Sequence, residues 1–264
     1  MRDKGVPDSL RKKKAKHALI IWACFFLVTV SANLLVPFAF HLNLHEWTYS
    51  TTKGLIIFSV NYAGFFLILP LLLTKGWMTF KKPSFFLPVA AAAVSVVLWY
   101  PIHYIAAIAV IVYIYLHWRF DLSELGFRSK GWRGDVASIV IVGSLGFLLA
   151  LSSANVIQFT FLPALSAASF RMFGNPASTA ENLFYFGFLT ERLGKQLNHY
   201  AVPFLIGTMY TLHELSNPEY WYEGLPFVYV FIGITLFAAV YLWRRNIVAT
   251  WLGDGFQWFM SRIV

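Results

Sequence analysis

The sequence predicts an all-α polytopic integral membrane protein with about nine transmembrane helices and a cytoplasmic N-terminus. Hydrophobic residues make up 58% of the 264 residues, and only 12% are charged. The mean hydropathy is +0.62. Apolar stretches of about 20 residues recur along the chain, which is the length that a helix needs to cross a bilayer. These observations together favour membrane helices over a soluble globular fold.

The predicted spans are separated by short polar segments. One helix over 84–118 would be on the order of 50 Å long, against a hydrocarbon core of about 30 Å, so two spans are predicted to meet at Pro101. Residues 154–176 contain two prolines and a glycine and predict an irregular connection. The nine spans lie at approximately 18–40, 53–74, 85–100, 101–118, 135–153, 177–193, 200–216, 226–243 and 246–262.

Charge placement gives the predicted topology and the domain organisation. Seven of the 21 basic residues precede residue 18, and with nine spans 18 of the 21 fall on the cytoplasmic side. The net charge of +9 is therefore better explained by anionic lipids than by nucleic acid. We expect a basic cytoplasmic tail (1–17), an N-terminal membrane module of about four helices (18–118) and a core (119–264). The expected location is the inner or plasma membrane of a bacterial or archaeal cell.

Glu181 and His213 are the first candidate site residues. Glu181 lies near the start of one predicted span and His213 near the end of the next, so antiparallel packing predicts a similar depth for both. Ionisable groups within apolar spans are costly and often functional. A carboxylate can act as a general base towards water, and an imidazole can stabilise developing oxyanion charge. The alternatives are an interfacial polar group or a buried hydrogen bond.

Asp254 is the third candidate, near the middle of the last predicted span. A carboxylate there requires a partner or a water-filled cavity. Gly253 and Gly255 flank it and favour close helix packing. A structural ion pair or a protonated acid is an equally good explanation of Asp254.

Several short motifs in 119–260 resemble those of the CPBP (CAAX protease and bacteriocin-processing, or Abi) intramembrane proteases. The segment 125–128, Leu-Gly-Phe-Arg, is similar to the linker before that family's core helices. The segment 181–187 keeps the first glutamate and the glycine of the family's first motif. Asn182 and Phe186 stand where that motif has a second glutamate and an arginine.

Two further family motifs are also matched in part. A phenylalanine followed four residues later by histidine corresponds to Met209 and His213. A histidine followed four residues later by an amide or acid corresponds to Asp254 and Trp258, with Gln257 one residue early as a substitute amide donor.

The resemblance implies a glutamic endopeptidase that hydrolyses peptide bonds within the membrane. Glu181 would activate water and His213 would support the oxyanion. Asp254 would replace the missing histidine, with Asn182 and Gln257 in supporting roles. No cofactor is expected, although Glu, His and Asp side chains can also hold a divalent metal. The expected partners are membrane lipids and a membrane-anchored or secreted peptide substrate.

Two other functions fit the same sequence. The departures at Asn182, Phe186 and Asp254 favour a catalytically inactive scaffold or immunity protein. Polar residues between helices suggest a small-solute transporter, but the paired broken helices of such proteins are not evident.

Overall fold

The structure, a computed structural model, describes residues 8–41, 43, 116, 126–153, 165–166, 169, 181–214 and 227–263. Within these residues the chain forms seven helices. One is a π-helix, Asn182–Leu189. The six α-helices are α1 (Asp8–Ala39), α2 (Trp132–Ser153), α3 (Thr190–Gln196), α4 (Ala201–Glu214), α5 (Phe227–Arg244) and α6 (Ile247–Ile263).

The prediction of about nine transmembrane helices, and with it the predicted membrane localisation, is contradicted. No helix among the described residues combines the length and the apolar character that a bilayer crossing requires. The helices α4, α5 and α6 have 14, 18 and 17 residues. At about 1.5 Å per residue they are roughly 21–27 Å long, shorter than a hydrocarbon core of about 30 Å. The cytoplasmic assignment of the N-terminus depended on those spans and falls with them.

The positions of the helices nevertheless follow the apolar segments of the sequence. α2, α4, α5 and α6 each begin and end within about three residues of a predicted segment. The segment predicted over 177–193 is divided instead, because a π-helix ends at Leu189 and α3 continues from Thr190. The predicted spans 53–74, 85–100 and 101–118 lie outside the described residues, apart from Leu116.

The chain divides into two compact units. The first comprises Met1–Phe120, Lys195–Leu197 and Met209–Pro226, and its principal described element is α1. Within α1 the ring of Trp22 is buried and stacks on Phe26 at 5.6 Å between centroids. The second unit comprises Asp121–Gly194, Asn198–Thr208 and Phe227–Val264.

The second unit is a bundle in which α2 packs along α6. Small residues allow the two helices to approach closely. A methyl group added at Gly253 of α6 would lie 3.0 Å from Cβ of Val142, and one added at Gly143 of α2 would overlap the ring of Phe256. Because protein interiors are close-packed, such contacts fix the spacing of the two helices.

The π-helix and α5 complete the core of this bundle. Phe186 of the π-helix packs on Phe237 of α5 with ring centroids 5.3 Å apart. The first half of α4 joins α5 through Phe204 and Phe231, whose centroids are 5.2 Å apart. The buried apolar side chains of the unit include Val142, Phe184, Tyr185, Phe186, Phe188, Leu189, Leu193, Val202, Ile206, Phe237, Ala238, Tyr241, Leu242, Ile247 and Ala249.

A two-residue turn connects α5 to α6. Arg245 adopts a left-handed conformation with φ 56°, and its backbone N–H donates to the carbonyl of Tyr241, which ends α5. Asn246 then caps α6, because its Oδ1 accepts from the backbone N–H groups of Val248 (3.0 Å) and Ala249 (3.3 Å). The chain therefore reverses direction within a few residues and brings two consecutive arginines, Arg244 and Arg245, to one end of the bundle.

Candidate functional site

Asn182 and Asp254 are in direct contact in the interior of the second unit. Nδ2 of Asn182 donates to Oδ2 of Asp254 over 3.0 Å, and the two residues are 3% and 7% exposed. Both glycines beside Asp254 are buried as well. A buried carboxylate requires a hydrogen-bond donor, and this amide supplies one. The structure thus joins the first and the last of the motifs singled out in the sequence.

Glu181 immediately precedes the π-helix and is half-buried. Its side chain does not cap the helix, although its backbone is helical. Because Glu181 is the neighbour of Asn182 in sequence, the Asn182–Asp254 hydrogen bond fixes the backbone from which the Glu181 side chain projects. The backbone at Glu181 is therefore tethered to α6 through the side chain of the next residue, Asn182.

The π-helix itself is unusual, since such segments are rare and occur frequently at functional sites. At its end the backbone N–H of Thr190 donates to the carbonyls of Tyr185 and Gly187. The Thr190 hydroxyl also donates to the Tyr185 carbonyl, over 2.6 Å. These bonds supply hydrogen-bond donors to the buried Tyr185 carbonyl at the end of the π-helix.

The two remaining predicted site residues are Gln257 and His213, and no polar contact with Glu181 or Asp254 is described for either of them. Gln257 is half-buried on α6, three residues after Asp254 and therefore on a neighbouring part of the same helix face. His213 lies in the last turn of α4, in the stretch assigned to the first unit. Its side chain lies outside the described residues, as does that of Glu214.

A second polar cluster surrounds Glu191, at the start of α3. Glu191 is only 2% exposed, although its side chain is charged. Its Oε1 accepts from Nη2 of Arg128 at 2.5 Å and from the phenol of Tyr241 at 3.0 Å. Its Oε2 lies 3.5 Å from Nη1 of Arg245. The carboxylate is thus neutralised by two arginines inside the bundle.

Tyr241 is itself held tightly. Gly126, with φ 81°, brings its backbone against the phenol, where an added methyl group would overlap the Tyr241 oxygen. Burial, reinforced by the negative charge of Glu191, raises the pKa of Tyr241 above its usual value. The phenol therefore stays protonated and serves as a hydrogen-bond donor.

Asp135, in the first turn of α2, forms the neighbouring cluster. It accepts from the Ser129 hydroxyl, from Nε of Arg244 at 3.1 Å and from Nδ2 of Asn246 at 2.9 Å. Burial acts to raise the pKa of Asp135, but the hydrogen bonds from Ser129, Arg244 and Asn246 together outweigh it and hold the pKa below its usual value. Asp135 therefore remains a carboxylate at neutral pH.

Sequence reasoning did not identify the Glu191 and Asp135 clusters. The sequence does contain charged residues in 128–135 and at 244–245 that could pair. The predicted membrane topology placed most of them in loops between spans. Only the close approach of segment 126–131 to the α5–α6 turn shows that these charges pair. The contact is fixed by the backbone N–H of Ile247, which donates to the carbonyl of Gly126 over 2.8 Å.

The described residues contain no group of three His, Cys, Asp or Glu side chains that could hold a metal ion. The polar contacts at Asp254, Glu191 and Asp135 are made instead with amides, hydroxyl groups and arginines.

Comparison with known proteins identified no relatives. No family model matches the chain, and neither a curated protein nor a solved structure matches it.

Proposed function

We propose that the protein hydrolyses peptide bonds, with Glu181 as the general base. The observation that carries the proposal is the buried hydrogen bond between Asn182 and Asp254. It joins two distant sequence motifs directly beside a half-buried glutamate. The proposal does not include a membrane location, because the described helices do not support one.

The chemistry assigned to Glu181 is a simple proton relay. Its carboxylate takes a proton from water while the water oxygen bonds to the carbonyl carbon of the peptide. The protonated Glu181 then gives that proton to the departing amide nitrogen as the C–N bond breaks. The products are a free carboxyl group and a free amine, so hydrolysis requires no further reactant.

Asn182 and Asp254 have positioning roles in this proposal. Their hydrogen bond orients the start of the π-helix and holds Glu181 at a fixed distance from α6. Gln257, on the same helix as Asp254, is the proposed amide donor to the substrate and its developing oxyanion. Displacements of about 1 Å in such groups can cost on the order of 100-fold in rate.

A catalytically inactive binding protein is the second candidate. The observation that favours it is the same buried contact, since Asn182 and Asp254 bond to each other inside the core. An amide–carboxylate pair of this kind can serve packing specificity alone. The two candidates differ in whether Glu181 is needed for product formation.

Peptide cleavage by the purified full chain tests the proposal. A mixture of synthetic peptides is incubated with the native protein, with Glu181→Gln and with Glu181→Ala, and products are identified by mass spectrometry. We expect both variants to lose cleavage by at least about 100-fold while circular dichroism and melting temperature stay unchanged. His199→Ala, at an exposed turn residue, is the control and should retain cleavage.

Persistent cleavage in Glu181→Gln would contradict the assignment of the general base. Absence of cleavage by the native protein across the peptide mixture would favour the binding protein. A double variant, Asn182→Asp combined with Asp254→Asn, exchanges the amide and the carboxylate of this hydrogen bond. The exchange retains a donor–acceptor pair, so it should restore the stability that either single variant loses.

A further inference from the structure

One end of the second unit collects basic side chains from three parts of the chain. This basic end consists of Arg128 and Lys130 before α2, Arg133 within α2, Arg244 at the end of α5 and Arg245 directly after it. Nε of Arg128 donates to the Arg245 carbonyl over 3.2 Å, and Nζ of Lys130 donates to the Trp243 carbonyl over 3.3 Å. Nη2 of Arg244 donates to the Gly131 carbonyl over 2.7 Å. These contacts place the cations side by side.

The carboxylates at the basic end do not balance this charge. Among the described residues, Glu191 pairs with Arg128 and Arg245, and Asp135 pairs with Arg244. Within the described part of the basic end, two negative charges thus face four positive ones even before Arg133 is counted. Partial burial, followed by repulsion from Arg245, Arg128 and Arg244, lowers the pKa of Lys130. An excess of like charge at close range favours the binding of an anion.

The unbalanced cations are accessible to a ligand. Lys130 and Arg133 are exposed, and the side chain of Arg128 is 33% exposed. Two arginines of the cluster lie over exposed indole rings: Arg133 over Trp132 at 5.6 Å and Arg244 over Trp243 at 5.4 Å. Stacking restricts both guanidinium groups. Arg244 is already bonded to Asp135 and Gly131, whereas the exposed Arg133 has N–H groups available for hydrogen bonds to a ligand.

We propose that the basic end is a binding site for a phosphate group, carried either by a small soluble molecule or by a lipid headgroup. Guanidinium groups match phosphate oxygens with two parallel N–H donors, and lysine adds a point charge. Each arginine has five N–H donors, more than the contacts described above occupy. Bound phosphate would neutralise the excess charge without disturbing Glu191 or Asp135.

Paired double variants test this site. Lys130→Ala with Arg133→Ala removes two positive charges from the basic end, where both side chains are exposed. Lys13→Ala with Lys16→Ala removes two positive charges from exposed positions on α1 and is the matched control. Binding of inorganic phosphate is measured by calorimetry, and binding to vesicles of phosphatidylglycerol or of phosphatidylcholine alone is measured by co-sedimentation, all at fixed salt.

The Lys130/Arg133 variant should bind the phosphate-bearing probe at least about tenfold more weakly, whereas the control should match the native protein. Selective loss of inorganic phosphate binding supports a soluble ligand, and loss confined to phosphatidylglycerol vesicles supports a headgroup. Equal loss in both double variants, or binding of neither probe by the native protein, overturns the proposal. If the double variant does not fold, Lys130→Gln gives the same comparison.

Discussion

The phenol of Tyr241 donates a hydrogen bond to the buried carboxylate of Glu191 over 3.0 Å. The same carboxylate accepts from Arg128, so α3, α5 and the segment before α2 meet at one acidic group. A buried carboxylate with several donors is stabilising only as a complete set, since removal of one donor exposes the cost of the buried charge. The Glu191 cluster is therefore a sensitive point of the second unit.

Tyr241→Phe removes one donor from Glu191 and should lower the free energy of unfolding by about 1.5–3 kcal/mol. The measurement is urea unfolding followed by circular dichroism at pH 7. Tyr200→Phe is the matched control, because Tyr200 is 88% exposed, and it should change stability little. An equal effect of both substitutions would show that the Glu191 contact contributes no specific stability.

Alkaline pH should distinguish Tyr241→Phe from the native protein. The pKa of Tyr241 is raised in the folded protein, so its contribution to stability is complete below the usual value of 10.0 and is lost as the pH rises further. The stability of Tyr241→Phe should therefore fall less steeply with pH than that of the native protein above about pH 10. Thermal melts between pH 8 and pH 11 measure the difference, and parallel curves would rule out this assignment.

Acid pH should reveal the contribution of Asp135 to stability. Its pKa is lowered in the folded protein, so its contribution to stability is present above the usual value of 3.8 and is lost as the pH falls through the lower folded value. Asp135→Asn should reduce stability at pH 7, because Arg244 loses its partner, and should flatten the decline of stability with acid. Unfolding free energies from pH 7 down to pH 3 test both effects.

Two glycines predict opposite outcomes for the same substitution. Gly143→Ala places a methyl group on the ring of Phe256 and should destabilise the protein by about 1–3 kcal/mol. At Gly194 the nearest atom outside the local helix is Cδ2 of Leu242, at 3.6 Å from the added methyl group. Gly194→Ala should therefore stabilise the helix by about 0.5–1 kcal/mol. Melting temperatures that shift in the same direction would contradict the packing of α2 on α6.

The Asn246 cap gives a further test. Its side chain accepts from two backbone N–H groups of α6 and donates to Asp135. Asn246→Ala should cost about 1–2 kcal/mol or more, because the cap and the Asp135 bond are lost together. Asn198→Ala removes only an exposed hydrogen bond to the Tyr200 N–H and serves as the control. Denaturant midpoints for the two variants should differ clearly.

The apolar runs of the sequence predicted the positions of several helices well, but not their character as membrane spans. Apolar runs gave α4, α5 and α6 to within a few residues, because hydrophobic continuity marks a buried helix as well as a membrane span. The exact ends of a helix depend on caps and turns, such as the turn at Arg245 and Asn246, which an apolar run does not mark. The division of 177–193 at a π-helix has no signal in periodicity.

The candidate site was partly accessible from sequence. Asp254 was expected to need a partner, and its side chain accepts a hydrogen bond from Asn182, a residue expected in a supporting role but not as that partner. The Glu191 cluster was not predicted, because a charged residue at the end of an apolar run is usually solvated. The arginine partners of Glu191 lie 63 and 54 positions away along the chain. Pairings at such separation depend on the fold and not on local spacing.

The π-helix makes the direction of the Glu181 side chain depend on residue count. In an α-helix each residue advances the chain by about 100° around the axis, and the π-helix accommodates the same chain with fewer degrees per residue. Deleting one residue between Leu183 and Phe188 would let this stretch close as an ordinary α-helix anchored at Thr190. The lost residue and the tighter winding offset each other, so Asn182 would keep nearly its present direction. If the stretch were wound as an α-helix without a deletion, Asn182 would instead turn away from Asp254. The extra residue and the wide turns thus act together to hold the start of the candidate site against α6.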